Sequence, residues 1–515
     1  MSIQRRPHGG VRGSGLPRGS VFFQGTFGRI FRALPAAEFS DRHLSELARA
    51  MTAEREDEPT PETQIDPEEN QGIDAGYTYL GQFIDHDLTF DPMSSLLKLN
   101  DPDALTDFRT PRFDLDSLYG RGPDDQPYLY EDDGLRFKLG NPLAGSDFDP
   151  NVRDLPRHGL DGQRKRALIG DPRNDENVIV AQLHATMLRF HNRVVQHLTR
   201  GTRKPNFTEV QRVVRWHYQW VVLHDFLPTI AGKEAVHRVL PHLEKGRSIY
   251  VRKPDLRFFK WRHEPFMPVE FSVAAFRFGH SMVRPIYRLN TNLLGKGKGD
   301  PVNGRKFILT PNDNAQGLNG FREIPRAWAI DWSLFFDMGN DPPKIGVNRL
   351  QKSYKIDASL VNSLGTLPRS VARGVLSLAE RNLKRGVSMA LPSGQAVARA
   401  MDIEPIQDDE LRVGKATREN SSKNKSLTEI SPAFADNAPL WYYVLAEAQQ
   451  QFRRDDTPIR LGPVGGRIVT EVFVGLLLGD SHSFLSQAPS WKPDPAFTTK
   501  GKFGVADLIS QAIRA

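Results

Sequence analysis

The chain reads as a mainly α protein built as one large domain, and three observations predict this. Apolar residues recur at helical spacing over 76–90, 176–200, 206–225, 369–385, 437–453 and 466–479. Strands and helices do not alternate along the chain, and no internal repeat is present. The joining segments are long and irregular, with turn signals such as Gly140-Asn141-Pro142 and a polar stretch at 418–427. Helices that do not pair locally need a common centre, and a buried cofactor would supply one.

The composition narrows the function. With 515 residues and 39% hydrophobic content, a large core can form. The net charge of +7 comes from 69 basic and 62 acidic residues interleaved along the chain, which predicts a solvated surface and not a nucleic-acid groove. There is no cysteine, so disulfides, thiolate ligation of iron, iron–sulfur clusters and cysteine-based zinc sites are excluded. Residues 1–20 read as a loose polar leader without the apolar core of an export signal, the remaining 21–515 forming the domain. Residues 53–72 read as an acidic, Pro-broken loop. The longest apolar run, near Val472 to Leu478, is too short to span a bilayer. The expectation is a soluble protein, cytoplasmic or secreted without a leader.

The strongest single segment is GYTYLGQFIDHDLTFDP, residues 76–92. An apolar helix here carries Asp85-His86-Asp87, whose side chains lie about 100° apart and must face three environments. Gln82 lies one turn before His86 and shares its face. In isolation such a histidine is more often a hydrogen-bonded core residue. In this context the run resembles the distal helix of the animal haem peroxidase family, the peroxidase–cyclooxygenase group, which reads GQ-x-x-DHD. The resemblance implies that Gln82 and His86 line the peroxide side of haem b, that Asp85 can form an ester to a haem methyl, and that Asp87 binds calcium. The residue type fits, because a neutral imidazole of pKa about 6.5 can carry a proton between peroxide oxygens as the O–O bond breaks.

Residues 170–198, GDPRNDENVIVAQLHATMLRFHNRVVQHL, begin with turn residues and continue as an amphipathic helix. The resemblance makes Arg173 the catalytic distal arginine, a fixed fork for negative charge on the departing oxygen. It makes Glu176 the second ester site. His184 and His191, seven residues apart on this helix, read as packing histidines, since nothing at that spacing supplies further ligands. The run EFSVAAFRFGHSMVRPIYRLN, residues 270–290, is similar to the family's proximal helix and makes His280 the axial iron ligand. Such a ligand needs an acceptor on its other ring nitrogen. Within ERNLKRG at 380–386, Asn382 matches the family's partner for it, and Arg385 matches an arginine near a haem propionate.

In TPRFDLD, residues 110–116, oxygen donors recur at every second position: Thr110, the Arg112 carbonyl, Asp114 and Asp116. An extended loop would aim them one way, and with Asp87 they form an oxygen-only set of the kind calcium prefers; a solvated acidic turn is the alternative. By resemblance this is the family's calcium loop, with Asp116 where a serine is usual.

Together these matches imply a haem peroxidase that reduces hydrogen peroxide and, through a ferryl species, oxidises bromide, iodide, thiocyanate or phenols. Asn177 stands where some family members carry a methionine linked to the haem, which argues against chloride as donor. The absence of cysteine suits a bacterial-type member. Two other readings compete: a fatty-acid dioxygenase of the same group, and a non-catalytic adhesion or scaffold protein. The dioxygenases carry a radical-forming tyrosine three residues before the proximal histidine, and here that position is Arg277. A scaffold would not need His86 and Arg173. GKGKGD at 295–300 lacks phosphate-loop spacing and reads as a flexible turn.

Overall fold

A long central helix sets the frame. A computed structural model describes residues 25–515 apart from 55–64, 91–105, 160–164, 200, 202, 247, 263, 294–304, 309–316, 370–371 and 373. The leader, half of the acidic loop and the GKGKGD turn therefore lie outside the described residues. The structure is mainly α, about 43% helical with little sheet. The principal helices are α1 (Asp41–Met51), α2 (Gly76–Leu88), α3 (Val178–Leu198), α4 (Phe207–Val221), α5 (Leu378–Ser388), α6 (Leu440–Gln449), α7 (Pro463–Gly479) and α8 (Val505–Ile513). Among the described residues no helix is long and apolar enough to cross a membrane.

The 21-residue α3 is buried on nearly every side, from Val178 to Val195. Its start is fixed by Asn177, whose side-chain oxygen accepts from the Ile179 N–H at 2.9 Å, an N-cap that ends the preceding turn. α2, α4 and α8 pack on α3, and α2 also contacts the segment that carries His280. The buried apolar side chains form one contiguous cluster running from Phe27 to Ala512.

Short strands pin the chain ends of this helical core. The strand Gly25–Gly28 lies between Thr106–Asp107 and Met267–Pro268, antiparallel to the first and parallel to the second. Just beyond it, the Glu270 carboxylate accepts from the Ile30 and Phe31 N–H groups at 2.9–3.0 Å, tying the N-terminal strand to the proximal segment.

Two expected helices differ from the sequence reading. The segment expected as a helix over 369–385 begins only at Leu378, because Gly374 has φ +76 and Ser377 then caps the helix through the Glu380 N–H. The proximal segment is a π turn, Glu270–Ala274, followed by a 3-10 helix, Ala275–His280, and not a regular α-helix. Such irregular turns re-aim side chains, and this one ends on His280.

Candidate functional site

Helix α2 enters the core through a close contact that only glycine permits: a Cβ on Gly76 would lie 2.3 Å from the Phe336 ring. Two turns on, Gln82 and His86 share a face and meet the turn before α3. Gln82 Nε2 donates to Glu176 Oε1 at 2.5 Å, and His86 Nε2 lies 3.7 Å from the same oxygen. His86 Nδ1 is 2.8 Å from Asn174 Oδ1. Beside them Arg173 Nη2 donates to the His86 carbonyl at 3.0 Å. The buried Asp171 clamps the same guanidinium at 2.7–3.2 Å, and the Phe90 ring lies 4.7 Å from it. Asp171 also caps the turn through the Arg173 N–H and binds Arg109 at 2.6 Å.

Electrostatics prepare these groups. Burial, with Arg173 adding to it, pushes the His86 imidazole down to about 3, so it is neutral at physiological pH. Burial works to raise Asp171, but Arg173 and Arg109 outweigh it and hold that carboxyl below the usual range. Burial wins at Glu176, which rises to about 7 despite Arg173, and at Asp85, which is raised against Arg173 and Arg277.

The Arg277 guanidinium acts on Asp85, in keeping with the packing of the proximal segment against α2. Burial lowers His280 to about 3. Its Nδ1 lies 2.8 Å from the side-chain nitrogen of Asn382, whose oxygen accepts from Arg277 Nη1 at 2.7 Å. The expected pair is therefore present, but with the carboxamide oxygen turned to Arg277. Arg277 is held a second time by the Ser272 carbonyl at 3.0 Å. Arg385 follows Asn382 by one turn on α5 and is half-buried.

The carboxylates of Asp87, Asp114 and Asp116 converge, with ligand-capable oxygens within 4.8 Å of one another. Burial and the other two carboxylates raise Asp87 well above its ordinary value. The Thr110 hydroxyl donates to Asp114 at 2.6 Å, and the Leu115 N–H and Ser117 hydroxyl each donate to Asp87 at 3.2 Å. The loop is not the extended strand that alternate spacing suggested. Leu115 takes φ +59, and this left-handed kink opens a short helix at Asp116.

A haem fits these surroundings on two counts. Gln82, Asp85, Arg173, Glu176, Arg277 and His280 all keep some accessible surface while burial dominates the protonation of Asp85, Glu176 and His280, which marks a deep internal cleft. A Cβ on Gly279, next to His280, would meet nothing within 4 Å. The donor set also suits it, with one imidazole Nε2 free of hydrogen bonds among the described residues and no thiol in the chain. Sequence reasoning missed Asp171, Arg109, Asn174 and Ser117. The Asp-Pro pair before Arg173 was a readable N-cap signal for the first of these; the others carry no local pattern.

Residues 98–331 match the family described as animal haem peroxidase. That segment holds the acidic loop 110–116, Arg173, Glu176 and His280; His86 and Asn382 fall outside it. Human eosinophil peroxidase is 28% identical over 235 residues, covering 44% of this chain and 28% of that protein. Rat thyroid peroxidase is 27% identical over 292 residues, covering 54% and 28%. The match thus spans little more than a quarter of the length of these relatives. Among solved structures, peroxidase A from Dictyostelium discoideum aligns with a TM-score of 0.58 at 17% identity, over 91% of this chain and 89% of that one. A fatty acid alpha-dioxygenase from Arabidopsis thaliana aligns at 0.54 and 13% identity, over 93% and 74%. At these identities the two share the fold.

Proposed function

We propose that this chain is a haem-dependent peroxidase that reduces hydrogen peroxide and oxidises small donors such as bromide, iodide, thiocyanate or phenols. The observation that carries the reading is the pairing of a clamped Arg173 with a neutral His86 on a helix that packs against the segment ending on His280. Haem b would supply the redox equivalents. His280 would hold its iron through Nε2, which requires the ring proton on Nδ1. Meeting that proton requires the Asn382 carboxamide to turn its oxygen from Arg277 to His280, which leaves Arg277 held by the Ser272 carbonyl.

His86 takes the proton from the near peroxide oxygen and returns it to the far one, while Arg173 stabilises the negative charge on that departing oxygen. Gln82 fixes Glu176 and the polar edge of the cleft. Asp85 and Glu176 would be the carboxyls that form ester links. Ca2+ would bind Asp87, Thr110, the Arg112 carbonyl, Asp114 and Asp116, offsetting the repulsion of three converging carboxylates. A dioxygenase reading has less support, because Arg277 and not a tyrosine precedes His280 by three residues.

The test is turnover by purified, haem-loaded protein. Peroxide-dependent oxidation of iodide or a phenol is expected, with no oxygen uptake on fatty acid. Oxygen uptake with fatty acid and no consumption of peroxide would reverse the assignment.

A further inference from the structure

Asn174 sits between two buried imidazoles. Its Oδ1 lies 2.8 Å from His86 Nδ1, and its Nδ2 lies 3.0 Å from His184 Nδ1. Asn174 and His184 are fully covered and His86 nearly so. The Asn174 backbone is fixed as well, its N–H donating to the Asp171 carbonyl at 3.1 Å, one residue after Arg173.

A carboxamide is asymmetric, since one end only accepts and the other only donates, and a neutral imidazole carries a single ring proton. With Oδ1 toward His86 and Nδ2 toward His184, as the carboxamide stands in the structure, the contacts set a direction. His86 donates from Nδ1 to Asn174, which leaves Nε2 as a bare lone pair on the side of Glu176, 3.7 Å away. His184 accepts at Nδ1. Its Nε2 is buried with no partner among the described residues, and its ring packs edge-on with Phe83 at 6.0 Å. An unpaired polar nitrogen in the core costs stability that an apolar ring would not. What His184 contributes in exchange is the hold on the Asn174 amide.

We propose that Asn174, held in register by His184, is the positioning residue that fixes His86 as the Nδ1–H tautomer, with Nε2 ready to accept a proton from peroxide. The catalytic consequence rests on the peroxidase reading; the tautomer does not.

The test reads the protein with isotope-labelled histidine by long-range proton–nitrogen correlation, the His86 signals being those lost in His86→Gln. The expected result is a proton on Nδ1 of His86 in the wild type and a mixture of tautomers in Asn174→Leu and His184→Leu. With haem loaded, both variants should react with peroxide about tenfold or more slowly, within the ~10²–10⁴-fold a positioned base supplies, at unchanged haem content and unchanged KM for the donor. A wild-type His86 protonated on Nε2 overturns the proposal whether or not the variants fold. A wild-type tautomer as expected, in a protein inert to peroxide, supports the positioning role of Asn174 and overturns the peroxidase reading instead.

Discussion

The Arg173 guanidinium donates to the backbone carbonyl of His86 at 3.0 Å, so the cation and the imidazole are joined through the main chain of α2 and cannot move apart independently. Asp171 holds the other edge of the same guanidinium. The imidazole and the cation are thus held at a fixed separation, which on the proposed reading is the condition under which electrostatic stabilisation costs no reorganisation.

Removing Arg173 should therefore leave the protein folded and able to hold haem, while slowing its reaction with peroxide. Arg173→Ala is expected to lower the bimolecular rate constant by about 10²–10³-fold in stopped-flow mixing. Arg173→Lys should recover little, because a point charge cannot bind Asp171 and the His86 carbonyl at once. A wild-type rate in Arg173→Ala would remove the residue from the mechanism.

The pH profile follows from burial. His86 is depressed to about 3, so lowering the pH from 8 to 5 does not protonate it. The rate constant for peroxide should stay flat over that window. An ordinary histidine would instead lose activity below about 6.5, and such a loss would show that His86 is better solvated than its surroundings indicate.

For the acidic cluster, the sign runs against the usual carboxylate case. Burial raises Asp116 to about 7, with Arg109 opposing and Asp114 assisting. A carboxyl whose folded pKa lies above its unfolded value binds more protons in the folded state, so it stabilises at low pH and loses that contribution as pH rises. Chelator-treated protein should accordingly lose thermal stability between about pH 4 and 7. Added Ca2+ should flatten that slope, and Asp87→Ala should abolish the response to calcium. A stability curve unaffected by chelator would argue against a cation there.

The ester assignment is tested by extraction. Haem from the wild type, after turnover with peroxide, should resist acid–organic solvent, and the Asp85→Asn, Glu176→Gln double variant should release it. Full release from the wild type would mean that the two carboxyls serve only to shape the cleft.

The sequence made the helical core readable where burial is nearly all-round and capped, as in α3, whose period runs unbroken from Val178 to Leu198 behind the Asn177 cap. It failed where local chemistry departs from period 3.6. The turn ending on His280, expected as a helix only by the family resemblance, folds as a π and a 3-10 turn under tertiary contacts from α6 and α7. Asp87, Asp114 and Asp116 were legible as donors, but not the left-handed Leu115 that brings them together. Asn174 was invisible, because its role depends on two histidines, 88 and 10 residues away in sequence.

The most direct test of the central claim, that His280 holds haem in the cleft beside His86 and Arg173, is the absorption spectrum of purified protein before and after hydrogen peroxide, for the wild type and His280→Ala. The wild type should show an intense haem band that shifts on adding peroxide, and His280→Ala should lose it unless imidazole is supplied. A wild type that takes up no haem on reconstitution, or a His280→Ala protein with an unchanged spectrum and response, would contradict the account.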